Sequence, residues 1–289
     1  MTQNFQLLIF TFILAATIGC SLKINNSTHP APTILVKHHG KIISLDLEKY
    51  VAAVLAGEVH ESWPMEALKA QAIAARTFAL LRMQERKNRP FHTQSSVTDQ
   101  VFKHHESQKL TKAAKETRGI VLTYRGRLIE ASFHSTCGGH TCDSKSVWGK
   151  SYDYLQGVPC SYCSNSPTFR WKQSIPLPEV EQKLKQKISF INVLQRGPYG
   201  RVLEFLIKGN RQQEIKGQTF RTLMGTMRIK STMITNLSIK NNTIIFSGQG
   251  FGHGVGMCQY GALGMAKMGK NTRQILLYYY PHTKLAKIY

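Results

Sequence analysis

The sequence predicts an α+β fold, mixed strands and helices around a cleft, in one domain over 33–289 that carries a Cys-rich loop insertion. Two observations predict it. Strand-like and helix-like segments alternate irregularly along the chain, and no glycine fingerprint of a dinucleotide-binding βαβ unit opens any helix. A chain of 289 residues, 42% hydrophobic and without internal repeats, is also long enough to bury a real core.

The elements follow in order. "FQLLIFTFILAATIGC" offers 15 mostly apolar residues from Phe5 to Gly19. That is short of the about 20 needed to span a bilayer, and it fits a signal-peptide core. Gly19 before Cys20 has the form of a lipoprotein cleavage site, so residues 1–20 read as a signal or lipoprotein signal with Cys20 lipidated, or as an uncleaved N-terminal anchor. The polar "SLKINNSTHPAP", 21–32, reads as a tether. "TILVKHHGKIISLDL" predicts a hairpin turning at His39-Gly40. "LEKYVAAVLAGEV" predicts a helix over 47–59, and Pro64 starts the next one, where its missing N–H costs nothing. That second helix is Ala-rich and apolar on most sides, which predicts burial. A short helix follows, ending at Gly119, then a hairpin over "IVLTYRGRLIEASFHS" turning at Arg125-Gly126. After the Cys-rich stretch 135–170, strands are expected near 171–175, 201–208, 229–239 and 242–247, with helices near 177–187 and 217–224. A glycine-rich loop and two helices end the chain.

Charge narrows the partners. Lys and Arg number 38 against 16 Asp and Glu, a net charge of +22. A field of that sign attracts polyanions: nucleic acid, anionic lipid or an acidic wall polymer. The basic residues are scattered rather than gathered into an arm, and an exported chain does not meet nucleic acid, so that partner is set aside.

Four groups could carry chemistry. Glu58 stands directly after a run of apolar and small residues; burial there raises a carboxyl pKa and keeps a proton for general-acid work, whereas a solvated helix end gives an ordinary carboxylate. "SFHSTCGGHTC" places His134, Ser135 and Thr136 before a tight Gly138-Gly139 turn; no G-x-S-x-G elbow marks a serine hydrolase. With Cys20 and the helical Cys258 set aside, Cys137, Cys142, Cys160 and Cys163 remain, the last two as C-x-x-C. They are candidate ligands of a structural zinc, with His134 and His140 as alternative ligands, or else two disulfides. In "GQGFGHGVGMCQYGA" five glycines alternate with larger residues around His253; no G-K-[ST] follows, which excludes a P-loop.

Taken together, "YVAAVLAGEVHESWPMEALKAQAIAARTFAL", "VTDQVF", "ETRGIVLTYRGRLIEASFHSTCGGHTCDSKSVWG" and "GQGFGHGVGMCQYGALGMAKMGKNTRQILLYYYP" resemble the SpoIID/LytB family, in the family's order, from about Lys49 to the C-terminus. Only the leader and tether fall outside, and 171–240 matches loosely. The resemblance implies a peptidoglycan lytic transglycosylase acting on glycan strands stripped of stem peptides, in wall remodelling or division, with the Glu of "AGE", Glu58, as its acid. Members of the LytB branch are instead amidase enhancers, which implies an N-acetylmuramoyl-L-alanine amidase as partner. It also implies a zinc near the "HSTxGG" turn in some members. Motif membership makes Ser135, Thr136, His253, Gln259 and Tyr260 the candidates for gripping the strand, and Asp99 the one further acid for the cleft. The expected location is the cell envelope, the membrane being reached through the N-terminal anchor or a lipid on Cys20.

Overall fold

The computed structural model of the chain describes residues 29–95, 99–103 and 107–289. The expected leader, Cys20 and the tether as far as residue 28 lie outside them. No helix among the described residues is long and apolar enough to cross a membrane.

Eight helices are described: α1 (Leu47–Glu58), α2 (Met65–Glu85), α3 (Gln108–Glu116), α4 (Ser144–Trp148), α5 (Leu177–Leu184), α6 (Gly217–Met224), α7 (Gln259–Lys267) and α8 (Thr272–Tyr279). The strands form four three-stranded sheets and one two-stranded sheet. This is the mixed α+β architecture expected from the irregular alternation of segments, with the Cys-rich region in place.

The chain enters through the expected hairpin. Thr33–His38 pairs antiparallel with Lys41–Asp46, and His39 and Gly40 make the turn with φ of 46° and 78°. Asp46 then caps α1, its carboxylate accepting from the backbone N–H groups of Glu48 and Lys49. Pro64 is the N-cap of α2. From Ala70 to Leu80 every residue of α2 is buried. Small side chains let α1, α3, α7, α8 and the strand Ile120–Tyr124 all pack on it. One face, with Ala70, Ile73 and Ala74, joins a core built with the cysteines, α7 and α8. The other, with Leu68, Ala72, Ala75 and Ala79, joins a core built with α1 and the first hairpin.

Burying Arg76 at the centre of α2 requires an anion. Its Nε and Nη2 hold Glu48 at 2.9 and 2.6 Å, and its remaining donors reach the carbonyls of Ile120 and Ala114, both at 3.1 Å. Tyr289, the last residue, donates to the same carboxylate at 2.7 Å. Burial pushes the Glu48 carboxyl up, but the hydrogen bonds and charge of Arg76 outweigh it and hold it below its ordinary value.

Some expected elements differ. The turn at Arg125-Gly126 forms, but its return strand is only Arg127–Leu128. Ile129 and Ala131 are drawn wholly into the core, and Phe133–His134 leaves to pair in parallel with Met257–Cys258. Five strands were not expected: Ile188–Arg196, Gln212–Lys216, the two-residue Thr93–Gln94 and Met257–Cys258, and the C-terminal Lys284–Lys287, which sets Leu285 opposite Leu122. The first is interrupted by register shifts, which erase the two-residue alternation that marks a strand. The strands and helices of 170–249 enclose a third core around Phe205, Phe220 and Phe246.

Candidate active site

Glu58 is the last residue of α1, and Val59 turns the chain into extended backbone. Two features fix its carboxylate. The segment 99–103 crosses α1, with Lys103 N–H on the Ala53 carbonyl at 3.1 Å. It can lie that close because Gly57 has no Cβ; one built there would strike the Val101 carbonyl. The crossing delivers the Val101 N–H to Glu58 Oε1 at 2.9 Å, while Gln259 Nε2 donates to Oε2 at 3.1 Å. Burial pushes the Glu58 carboxyl above its ordinary value, and the two donors pull it back only in part. Its place in the last helical turn, at the negative end of the helix dipole, works in the same direction as burial.

Glu58 opens into a cleft of about 970 Å³. Asp99 and Glu130 also line it. Both are held by arginines: Asp99 by two nitrogens of Arg86 at 2.8 and 3.0 Å, Glu130 by Arg82 Nη2 with both oxygens at 2.8 Å. Among the described residues, Glu58 is therefore the cleft carboxylate without a basic partner. Asp99 also accepts from Gln94 N–H at 2.8 Å, so it fastens the 99–103 segment rather than offering a second acid.

The cleft collects most of the residues that the motifs single out. Ser135, His253, Gln259 and Tyr260 line it with Glu58, and His134 lines it as well. Thr136 does not. It is fully buried behind Ser135, its hydroxyl bonded to Ser166 at 2.6 Å and Thr168 at 3.1 Å. His253 uses both ring nitrogens internally: Nδ1 accepts from Val255 N–H at 3.1 Å, and Nε2 lies 3.0 Å from the Phe133 carbonyl. That fixes the neutral tautomer, and burial pushes its pKa down to about 4. It presents a ring face, not a proton. His134 lies 3.1 Å from the Val255 carbonyl through Nδ1, and burial holds it well below its ordinary value. Residues of the cleft that sequence reasoning missed include the Arg82–Glu130 pair, Trp63, Trp148 and Met227. Trp148 is 44% exposed and stands 5.3 Å from the His253 ring. An apolar residue left open beside a cleft is a binding signal, but exposure is invisible in sequence.

The cysteine set needs correction. The four sulfurs that converge are those of Cys137, Cys160, Cys163 and Cys258, all within 4.8 Å of one another and all buried. Cys142 lies elsewhere, its backbone N–H on the Gly254 carbonyl at 2.7 Å. His140 stacks on Tyr199 with ring centroids 3.9 Å apart, and neither His134 nor His140 belongs to the cluster. Cys258 takes the fourth place because the strand Met257–Cys258 lies in parallel beside Phe133–His134, which brings it to the start of the Cys-rich loop. The five described cysteines are free thiols. Four sulfurs fit tetrahedral zinc: a Zn–S distance of about 2.3 Å sets sulfurs about 3.8 Å apart, and Cys137 and Cys163 are 3.4 Å apart. Donors already point at them, the N–H groups of Cys137 and Gly261 at 3.3 Å from Cys258 Sγ and the Tyr279 hydroxyl 3.2 Å from Cys160 Sγ. Cys258 also caps α7, whose first residue is Gln259. One peptide bond thus separates the sulfur cluster from the residue bonded to Glu58.

Comparisons with known proteins place the chain among relatives. The family model described as stage II sporulation protein, SpoIID, matches residues 37–124, the stretch that carries Glu58 and its crossing segment. A domain of unknown function, DUF8618, matches 160–256. An uncharacterized protein of Brachyspira hyodysenteriae is 36% identical over 82% of this chain, which spans 65% of that relative's length. Stage II sporulation protein D of Bacillus amyloliquefaciens is 32% identical over 91% of this chain and 80% of its own. The amidase enhancer of Bacillus subtilis is 28% identical over 80% of this chain and 39% of its own. At that identity to stage II sporulation protein D over most of both chains, and with the family model covering the stretch around Glu58, the chain belongs to the SpoIID/LytB family.

Proposed function

We propose that the chain is a peptidoglycan lytic transglycosylase of the cell envelope, acting through the single carboxyl of Glu58, with 33–289 working as one domain. One observation carries the reading: among the described residues, Glu58 is the cleft carboxylate with a raised pKa and no basic partner. Glycosidases that use water need a pair of carboxyls. An internal nucleophile needs one group that is first acid and then base. Glu58 gives its proton to the oxygen between N-acetylmuramic acid and N-acetylglucosamine, and the C1–O bond breaks with positive charge developing at C1. The muramic C6 hydroxyl closes on C1, its proton returns to Glu58, and the product is a 1,6-anhydro sugar. No water is consumed, and the acid is regenerated.

Ser135, Gln259, Tyr260 and the ring face of His253 grip the strand, with Trp148 as an apolar wall. A structural zinc on Cys137, Cys160, Cys163 and Cys258 would tie the Cys-rich loop to α7. The experiment is mass spectrometry of the products from amidase-treated sacculi, which present denuded strands. Wild type is expected to yield 1,6-anhydro ends; Glu58→Gln is expected to yield none while its circular dichroism is unchanged. Full turnover by Glu58→Gln would overturn the reading. The relative named an amidase enhancer supports a second reading, a wall-binding protein that stimulates an amidase. That reading expects no products from the chain alone and faster cleavage when an amidase is added.

A further inference from the structure

Arg201 is a buried cation without an anion. It is 2% exposed. Its Nη2 donates to the Cys137 carbonyl at 2.9 Å. Nε and Nη1 have no partner, and no carboxylate pairs with it, among the described residues. A guanidinium does not shed its proton to escape burial, so a charge placed there requires a compensating one. The guanidinium occupies the space beside Gly254, at φ +88°, that a side chain would fill: a Cβ there would strike it. The one acceptor it reaches belongs to Cys137, a member of the four-sulfur cluster.

A metal centre at the cysteines supplies the missing anion. Four thiols that bind one divalent cation release four protons and leave a centre of net charge −2. A centre of that charge, buried in an apolar core, is stabilised by a cation beside it and by N–H groups directed at its sulfurs. Cys258 Sγ already receives two such groups. We infer that Arg201 is the buried counter-charge of a tetrathiolate metal centre formed by Cys137, Cys160, Cys163 and Cys258, and so sets the affinity of that centre for its metal. The inference rests on the zinc reading above and is independent of whether Glu58 cleaves glycan.

Cobalt(II) titration of the full-length, reduced, metal-free chain tests it, because sulfur-to-cobalt charge-transfer bands report thiolate ligation directly and competition with a chelator gives the affinity. Wild type is expected to bind one cobalt with tetrathiolate bands. Arg201→Met is expected to bind about 10–100-fold more weakly, the usual effect of removing a partner of the ligands, and Arg201→Lys to stay within about threefold of wild type. If wild type shows no thiolate bands, the zinc reading and this inference both fall. If wild type binds and Arg201→Met matches it, the inference alone falls. Should Arg201→Met not fold, Arg201→Lys decides: a tenfold loss with the charge retained means that shape, not charge, is what Arg201 supplies, and the inference is overturned.

Discussion

The side-chain amide of Gln259 meets the carboxylate of Glu58 at 3.1 Å, although 201 positions of chain separate them. The bond joins the end of α1 to the start of α7, and it acts on the acid directly. A donor stabilises the carboxylate and so lowers its pKa. Gln259→Leu removes that influence, and the Glu58 pKa rises further. Activity that needs the protonated form falls as pH rises through that pKa, so the alkaline limb of kcat/KM is expected to move to higher pH in Gln259→Leu. An unmoved limb would show that the contact does not govern the acid.

Glu58 also leaves a mark on stability. Its folded pKa lies above the unfolded value, so the folded state holds the proton more tightly. The stability contribution is full below the unfolded pKa and is lost as pH rises through the folded one. Glu58→Gln does not titrate. Urea unfolding at a series of pH values is expected to show the variant gaining on wild type from about pH 4.3 upward, with a plateau once Glu58 is ionised. A variant that instead loses ground to wild type as pH rises would contradict burial as the cause.

Gly57 is the gap through which the 99–103 segment reaches the acid. Gly57→Ala sets a methyl group against the Val101 backbone. The segment must withdraw, and the Val101 N–H leaves Glu58. Overpacking of this kind costs about 1–3 kcal/mol, measurable by denaturant unfolding. Product formation is expected to fall in protein that is still fully folded.

The cysteine assignment separates two variants that sequence spacing cannot. Wild type and Cys142→Ser are each expected to purify with one zinc per chain. Cys258→Ser is expected to lose it, because it removes one of the four converging sulfurs. Native mass spectrometry reads both, and the reverse pattern would refute the assignment.

Arg76→Met leaves Glu48 buried beside Tyr289 without its cation. Breaking a buried pair from one side costs about 3–5 kcal/mol, expected as a lower urea midpoint. The double variant Arg76→Met, Glu48→Leu is expected to recover much of that loss, since no charge remains to be buried.

The sequence by itself determined what neighbouring residues decide. Asp46 before an apolar run made α1 and set Glu58 at its end. His39-Gly40 and Arg125-Gly126 made turns, because only a few residue types accept a positive φ. The apolar girth of α2 made it a buried helix. The matching blocks gathered the residues of the cleft, though not what each one does there. Only the tertiary structure decided that Cys258 replaces Cys142, that Thr136 faces inward, that Asp99 is spent on Arg86, and that Arg201 stands without an anion beside the sulfurs. Capping, periodicity and turn chemistry act over a few residues. Cys137 and Cys258 are 121 positions apart, and their meeting depends on how a parallel strand pair and α7 pack onto the Cys-rich loop, which no local pattern encodes.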